Sequence, residues 1–225
     1  MANKTELSLR FLPVEALIEL SENDSRRKQV EKLAKLAATI QVPQKEQSQM
    51  VESRLPSLLE GKARIEQVTI GIKSGEELLL ELRKRKANIS AYAEDRVKSP
   101  EFTTLPELEQ RELVVAGVGD LVPSPKGIYA TTEEIWAARD QLGLQEVPAE
   151  TALHYLLQNG DKLNNGDAIW MSMKTITGRH GNPRVFAVVR VSDGLWLSSR
   201  WAGPSNHWDP GSRFAFSLPQ VATNA

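Results

Sequence analysis

The hydrophobic rhythm of this chain changes once, close to Asp167, and that change restricts its possible folds more than any other feature. Before it, apolar residues recur at three- and four-residue intervals; after it, they alternate with polar ones. The first spacing lines one side of a helix and the second one face of a strand. The expected fold class is therefore α+β: a helical N-terminal half, as a hairpin or bundle, with a small C-terminal antiparallel β module covered by helices. The expected domains are helical over 1–116, a linker over 117–130, and a helix-plus-antiparallel-sheet module over 131–225.

Within 13–41, Val14, Leu17, Ile18, Val30, Leu33, Leu36, Ala37 and Ile40 predict two amphipathic helices. Asp24 or Ser25 is suited to cap the second, and Pro43 stops it. The polar interval 44–95 reads as two or three more helices broken at Pro56, Gly61 and Gly71, and the alternation of Val68, Ile70 and Ile72 keeps a short strand as the alternative. Further helices are expected over 105–114, 133–142 and 149–158. The middle one has Thr131 or Thr132 and Glu134 arranged for a capping box, and Gly143 placed to end it. Strands are expected over 168–176, 184–191, 195–201 and 213–218.

The 28 Lys plus Arg against 29 Asp plus Glu give a net charge of -1, so no global field draws the protein to nucleic acid or acidic lipid. The absence of cysteine excludes disulfides and thiolate chemistry. No apolar run approaches the roughly 20 residues of a membrane-spanning helix. The stretch 1–10 lacks the basic-then-apolar layout of a secretory signal, and a cytoplasmic location without membrane partner is expected. The amphipathic helices suit either a monomeric bundle or a coiled-coil homo-oligomer.

Four of the five tryptophans, Trp170, Trp196, Trp201 and Trp208, fall in the β module, where indoles either fill a small core or anchor a binding surface. The loop from Trp201 to Gly211 sets Asn206, His207 and Asp209 beside Trp201 and Trp208, which makes it the first candidate site. A second is the turn carrying Arg179, His180 and Arg184, with Lys174 and Arg190 on adjoining strands, whose guanidinium groups suit phosphate oxygens. His180 and His207 are the residue type for metal-independent acid–base chemistry, whereas His154 reads as a helix-face residue. Three dispersed histidines without a ligand-spaced pair offer no metal site, and neither a phosphate-binding glycine loop nor a serine-nucleophile elbow occurs. No cofactor is implied.

The segment from Leu12 to Leu17, then Asn23 to Arg27 and Val30 to Ile40, resembles the opening of ParB-type partition domains. The resemblance covers about the first 40 residues and implies a DNA-associated function, but the Gly-Glu-Arg-Arg motif that carries that family's nucleotide chemistry is absent. The residues themselves point to a non-enzymatic interaction protein, with helices for docking or oligomerisation and a Trp-rich β module recognising a protein partner, a nucleic acid or a glycan. The alternative is a small nuclease or toxin-like effector using His180, His207, Lys174, Arg179 and Arg184.

Overall fold

The computed structural model describes residues 55–123, 129–178 and 181–220, which belong to one compact unit, Glu52–Ala225. The helices expected over 13–41 lie outside the described residues. The strands are β1 (Arg64–Ile70), β2 (Asn88–Ile89), β3 (Glu109–Gly117), β4 (Ala130–Thr131), β5 (Ala168–Met171), β6 (Arg184–Val191), β7 (Gly194–Trp201), β8 (His207–Trp208) and β9 (Arg213–Ser217). The described helices are short: α1 (Gly75–Lys84), α2 (Ala91–Val97), α3 (Val118–Leu121), α4 (Thr132–Gln141) and α5 (Thr151–Asn159).

Seven strands form one mixed sheet in the order β1-β3-β9-β5-β6-β7-β2, and β4 and β8 form a separate ribbon. This corrects the expected fold class. Long strands β1 and β3 come from the half read as helical, and β9 runs parallel to β5, as β2 does to β7, so the sheet is not antiparallel throughout. The misreading of 105–114 has a physical cause. Leu113, Val114, Val115 and Ala116 are all buried, because β3 is an interior strand with both faces covered, and such a strand shows no alternation. β9 lies between β3 and β5, so the last strand joins the early strands to the β5–β6–β7 meander.

Strand register divides the core into two layers. Val114, Phe214, Phe216 and Trp170 share one face, which α4 and the β4–β8 ribbon cover through Trp136 and Trp208. Leu113, Val115, Met171 and Phe186 share the other, beneath α5, α1 and α2. Capping follows local sequence: Ser74 with Glu77 and Thr131 with Glu134 each form a capping box. None of the described helices is long and apolar enough to cross a membrane.

The edge strand β1 is closed by side chains of α5. The Gln158 amide accepts from Thr69 N at 2.9 Å and donates to Thr69 O at 2.6 Å, imitating a neighbouring strand, and Asn159 donates to Gln67 O at 3.0 Å. Unpaired edges template association with other chains. Gln158→Ala is expected to cost about 1 to 2 kcal/mol in urea unfolding, as two exposed hydrogen bonds should, and to raise self-association in light scattering. Unchanged scattering at high protein concentration would show that this amide does not guard the edge.

Candidate functional site

The β6–β7 hairpin has a tight Ser192–Asp193 turn and full pairing from Val191↔Gly194 to Arg184↔Trp201. That register sets Arg184 and Trp201 side by side on one face, with directly opposed Cβ atoms about 5 Å apart. Helix α2 packs alongside β7. It starts where Ser90 Oγ accepts from Ala93 N at 3.2 Å, and it aligns Tyr92 and Arg96 one turn apart.

The Arg184 guanidinium lies 4.2 Å from the centre of the Tyr92 ring, and its Nη1 donates to the Ser199 carbonyl at 3.0 Å. Burial lowers the Arg184 pKa, the Arg96 charge lowers it further, and Tyr92 opposes them. The Arg184 charge is thus disfavoured both by its partly dehydrated setting and by a second cation. Arg96 is only 1 % exposed; it pairs with the Asp95 carboxylate and donates to the Asn182 carbonyl at 3.4 Å. Arg184 Nε, Arg96 Nε and Ser199 Oγ are enclosed with no hydrogen-bond partner among the described residues. Next to Arg184 two aromatic rings reach solvent, Tyr92 at 54 % and Trp201 at 55 % exposure.

The neighbouring turn is held from below. Gly178 has φ +56, and any Cβ there would run into the Arg96 guanidinium, so both the backbone and the space demand glycine. Glu101 accepts from Thr177 Oγ1 at 2.6 Å and from the backbone N of Thr177 and Gly178 at 3.2 Å. The Thr177 hydroxyl, with those amides, holds the Glu101 carboxyl below its ordinary value of 4.5. A depressed carboxyl stabilises fully above the unfolded pKa and loses that contribution as pH falls through the lower folded value. Protection of the Thr177 and Gly178 amides, relative to intrinsic exchange, is therefore expected to fall as pH drops below the ordinary carboxyl value of 4.5 in wild type but to be weak already at neutral pH in Glu101→Gln. Equal protection in both proteins would count against this anchor. Arg179 and His180 lie outside the described residues.

The remaining candidates are spread differently. Trp208 is fully buried, its Nε1 donating to Thr132 Oγ1 at 2.8 Å. Arg200, on the opposite face of the hairpin from Arg184, stacks 4.8 Å from Trp208 and 5.7 Å from Trp170. His207 and Asp209 are exposed on the loop. Asn206 is half-buried: its carbonyl accepts from Thr132 N at 2.9 Å and its amide donates to the His207 carbonyl at 3.3 Å. Trp196 Nε1 donates to Asp193 at 2.8 Å. His154 is buried, its Nε2 3.3 Å from Glu150. Lys174 is exposed.

The structure thus joins two of the sequence candidates, Trp201 and Arg184, to three residues that sequence reasoning passed over: Tyr92, Arg96 and Ser199. The four-residue spacing of Tyr92 and Arg96 behind Ser90 puts them on one helix face but says nothing of what that face meets. Among the described residues, no group of three or more His, Asp or Glu side chains is placed to hold a metal ion. In comparisons with known proteins, no family model, curated protein or solved structure matches the chain.

Proposed function

We propose that the protein is a non-enzymatic binding protein whose recognition face is the open end of the β6–β7 hairpin together with α2. The observation that carries this reading is a guanidinium, partly buried beside a second one, flanked by two large rings that are both more than half exposed. Exposed aromatic area is unfavourable in water at about 25 cal/mol per Å². Rings and arginine are also the side chains that most often dominate binding surfaces. The helices serve as the cover of the sheet and position Tyr92. Of the two histidines needed by the nuclease alternative, His180 lies outside the described residues, so no geometry favours that reading.

Tryptophan fluorescence, titrated with glycans, peptides and nucleic acids, tests the face. Trp201→Ala and Tyr92→Ala are each expected to weaken whatever binding is found by about tenfold, the effect of losing one ring contact of 1 to 2 kcal/mol. Because both rings are exposed, the unfolding midpoint should hardly move. Should both variants retain wild-type affinity for every ligand detected, the recognition face lies elsewhere.

A further inference from the structure

We infer that this face takes single-stranded nucleic acid, with Arg184 gripping a backbone phosphate and bases stacking on Trp201 and Tyr92; the inference rests on the reading of the face given above. Three features select this ligand class. First, Arg184 needs an anion. Its charge is disfavoured by burial and by Arg96, and its only hydrogen-bond acceptor among the described residues is the neutral Ser199 carbonyl, bonded to Nη1. Asp95 is engaged with Arg96, and Glu101 with Thr177 and Gly178, so both nearby carboxylates already hold other donors. An arriving phosphate would relieve the repulsion between the two guanidinium groups, and a guanidinium binds it through paired hydrogen bonds.

Second, two exposed rings neighbour that cation, Tyr92 in contact with it and Trp201 across the strand pair. Alternation of flat rings and charge along one face matches a polymer that alternates bases and phosphates. A neutral glycan supplies no charge for Arg184, and an acidic peptide without aromatic side chains supplies no planar partner for two rings. Third, a duplex hides its base faces in the stack, leaving only phosphates for a chain whose net charge is -1. Stacking therefore has to carry the affinity, and the strand must be single. No base edge is read by this arrangement, so binding should tolerate sequence.

Fluorescence anisotropy of a labelled ten-nucleotide thymidine oligomer, titrated with the full-length chain, tests the inference. Competing ligands are the unlabelled duplex, thymidine monophosphate and inorganic phosphate. The oligomer is expected to bind, with the duplex competing at least tenfold less well. Loss of either ring should weaken binding roughly 5- to 100-fold, the range for one stacked base. Arg184→Gln should flatten the slope of log affinity against log salt by about 0.7, the share of one single-strand phosphate contact. Arg184→Lys keeps the charge but loses the planar fork, and should keep the slope while weakening binding. Equal competition by duplex, full competition by the mononucleotide, or a salt slope unchanged in Arg184→Gln each overturns the inference.

Failure here is separable from failure of the broader reading. If a peptide or glycan quenches fluorescence and depends on Trp201 while the oligomer does not bind, the face stands and its nucleic-acid assignment falls. If no ligand depends on Trp201 or Tyr92, both fall.

Discussion

Trp208→Ala is expected to lower the free energy of unfolding by about 3 to 5 kcal/mol, the usual loss for a buried aromatic truncated in a core. The ring is fully buried, meets Phe214 edge-on with centroids 4.8 Å apart, and leans on Trp170 at 5.3 Å. Its indole N–H also fixes Thr132, the first residue of α4, so truncation opens a cavity and leaves that hydroxyl with only its 3.4 Å bond to the Asn206 carbonyl. Trp208→Phe keeps most of the ring and loses the hydrogen bond, and should cost about 1 to 3 kcal/mol. The discriminating control is Trp201→Ala, which should cost under about 1 kcal/mol because that ring is exposed. Urea denaturation of the three variants measures all of this, and near-equal losses for Trp201→Ala and Trp208→Ala would contradict the division between interior and surface indoles.

That division explains how much of the site was legible. Both tryptophans sit in one loop-rich segment, and local pattern cannot say which points inward. Trp201 ends a long strand opposite Arg184, a pairing that the Ser192–Asp193 turn largely dictates, so these two were within reach of sequence reasoning. Trp208 faces inward because β8 pairs with β4, a partner of two residues nearly eighty positions away. Tyr92 and Arg96 reach the site only through the packing of α2 against β7, which no short-range signal encodes. The same contrast runs through the fold. The capping box at Thr131, the stop at Gly143 and the whole of β6 follow from local chemistry and were read correctly. β3 was missed because the layers that bury both of its faces come from distant parts of the chain, so its apolar run Leu113–Ala116 shows no alternation.

Glu150→Ala should be nearly as damaging as the loss of Trp208, for an electrostatic reason. The Glu150 carboxylate is fully buried at the start of α5, accepts from Leu105 N at 2.7 Å and Gly71 N at 3.1 Å, and lies 3.3 Å from His154 Nε2. It thereby ties two loops to one helix. The turn it anchors is strained: Ile72, a β-branched residue, has φ +69, and its N donates to the Leu105 carbonyl at 2.7 Å. Such a conformation costs on the order of 1 to 3 kcal/mol and persists only where its surroundings enforce it. Removing the carboxylate abandons two backbone donors and the enforcement together, a loss of about 3 to 5 kcal/mol. Glu150→Gln offers a single acceptor oxygen and should lose about half as much. Hydrogen exchange separates this from general destabilisation. In Glu150→Ala the amides of Gly71 and Leu105 should exchange well before those of β6, because the two loops open locally while the hairpin stays paired. If both amides keep the protection of β6, or the variant unfolds at the wild-type urea midpoint, Glu150 is not what holds this turn in place.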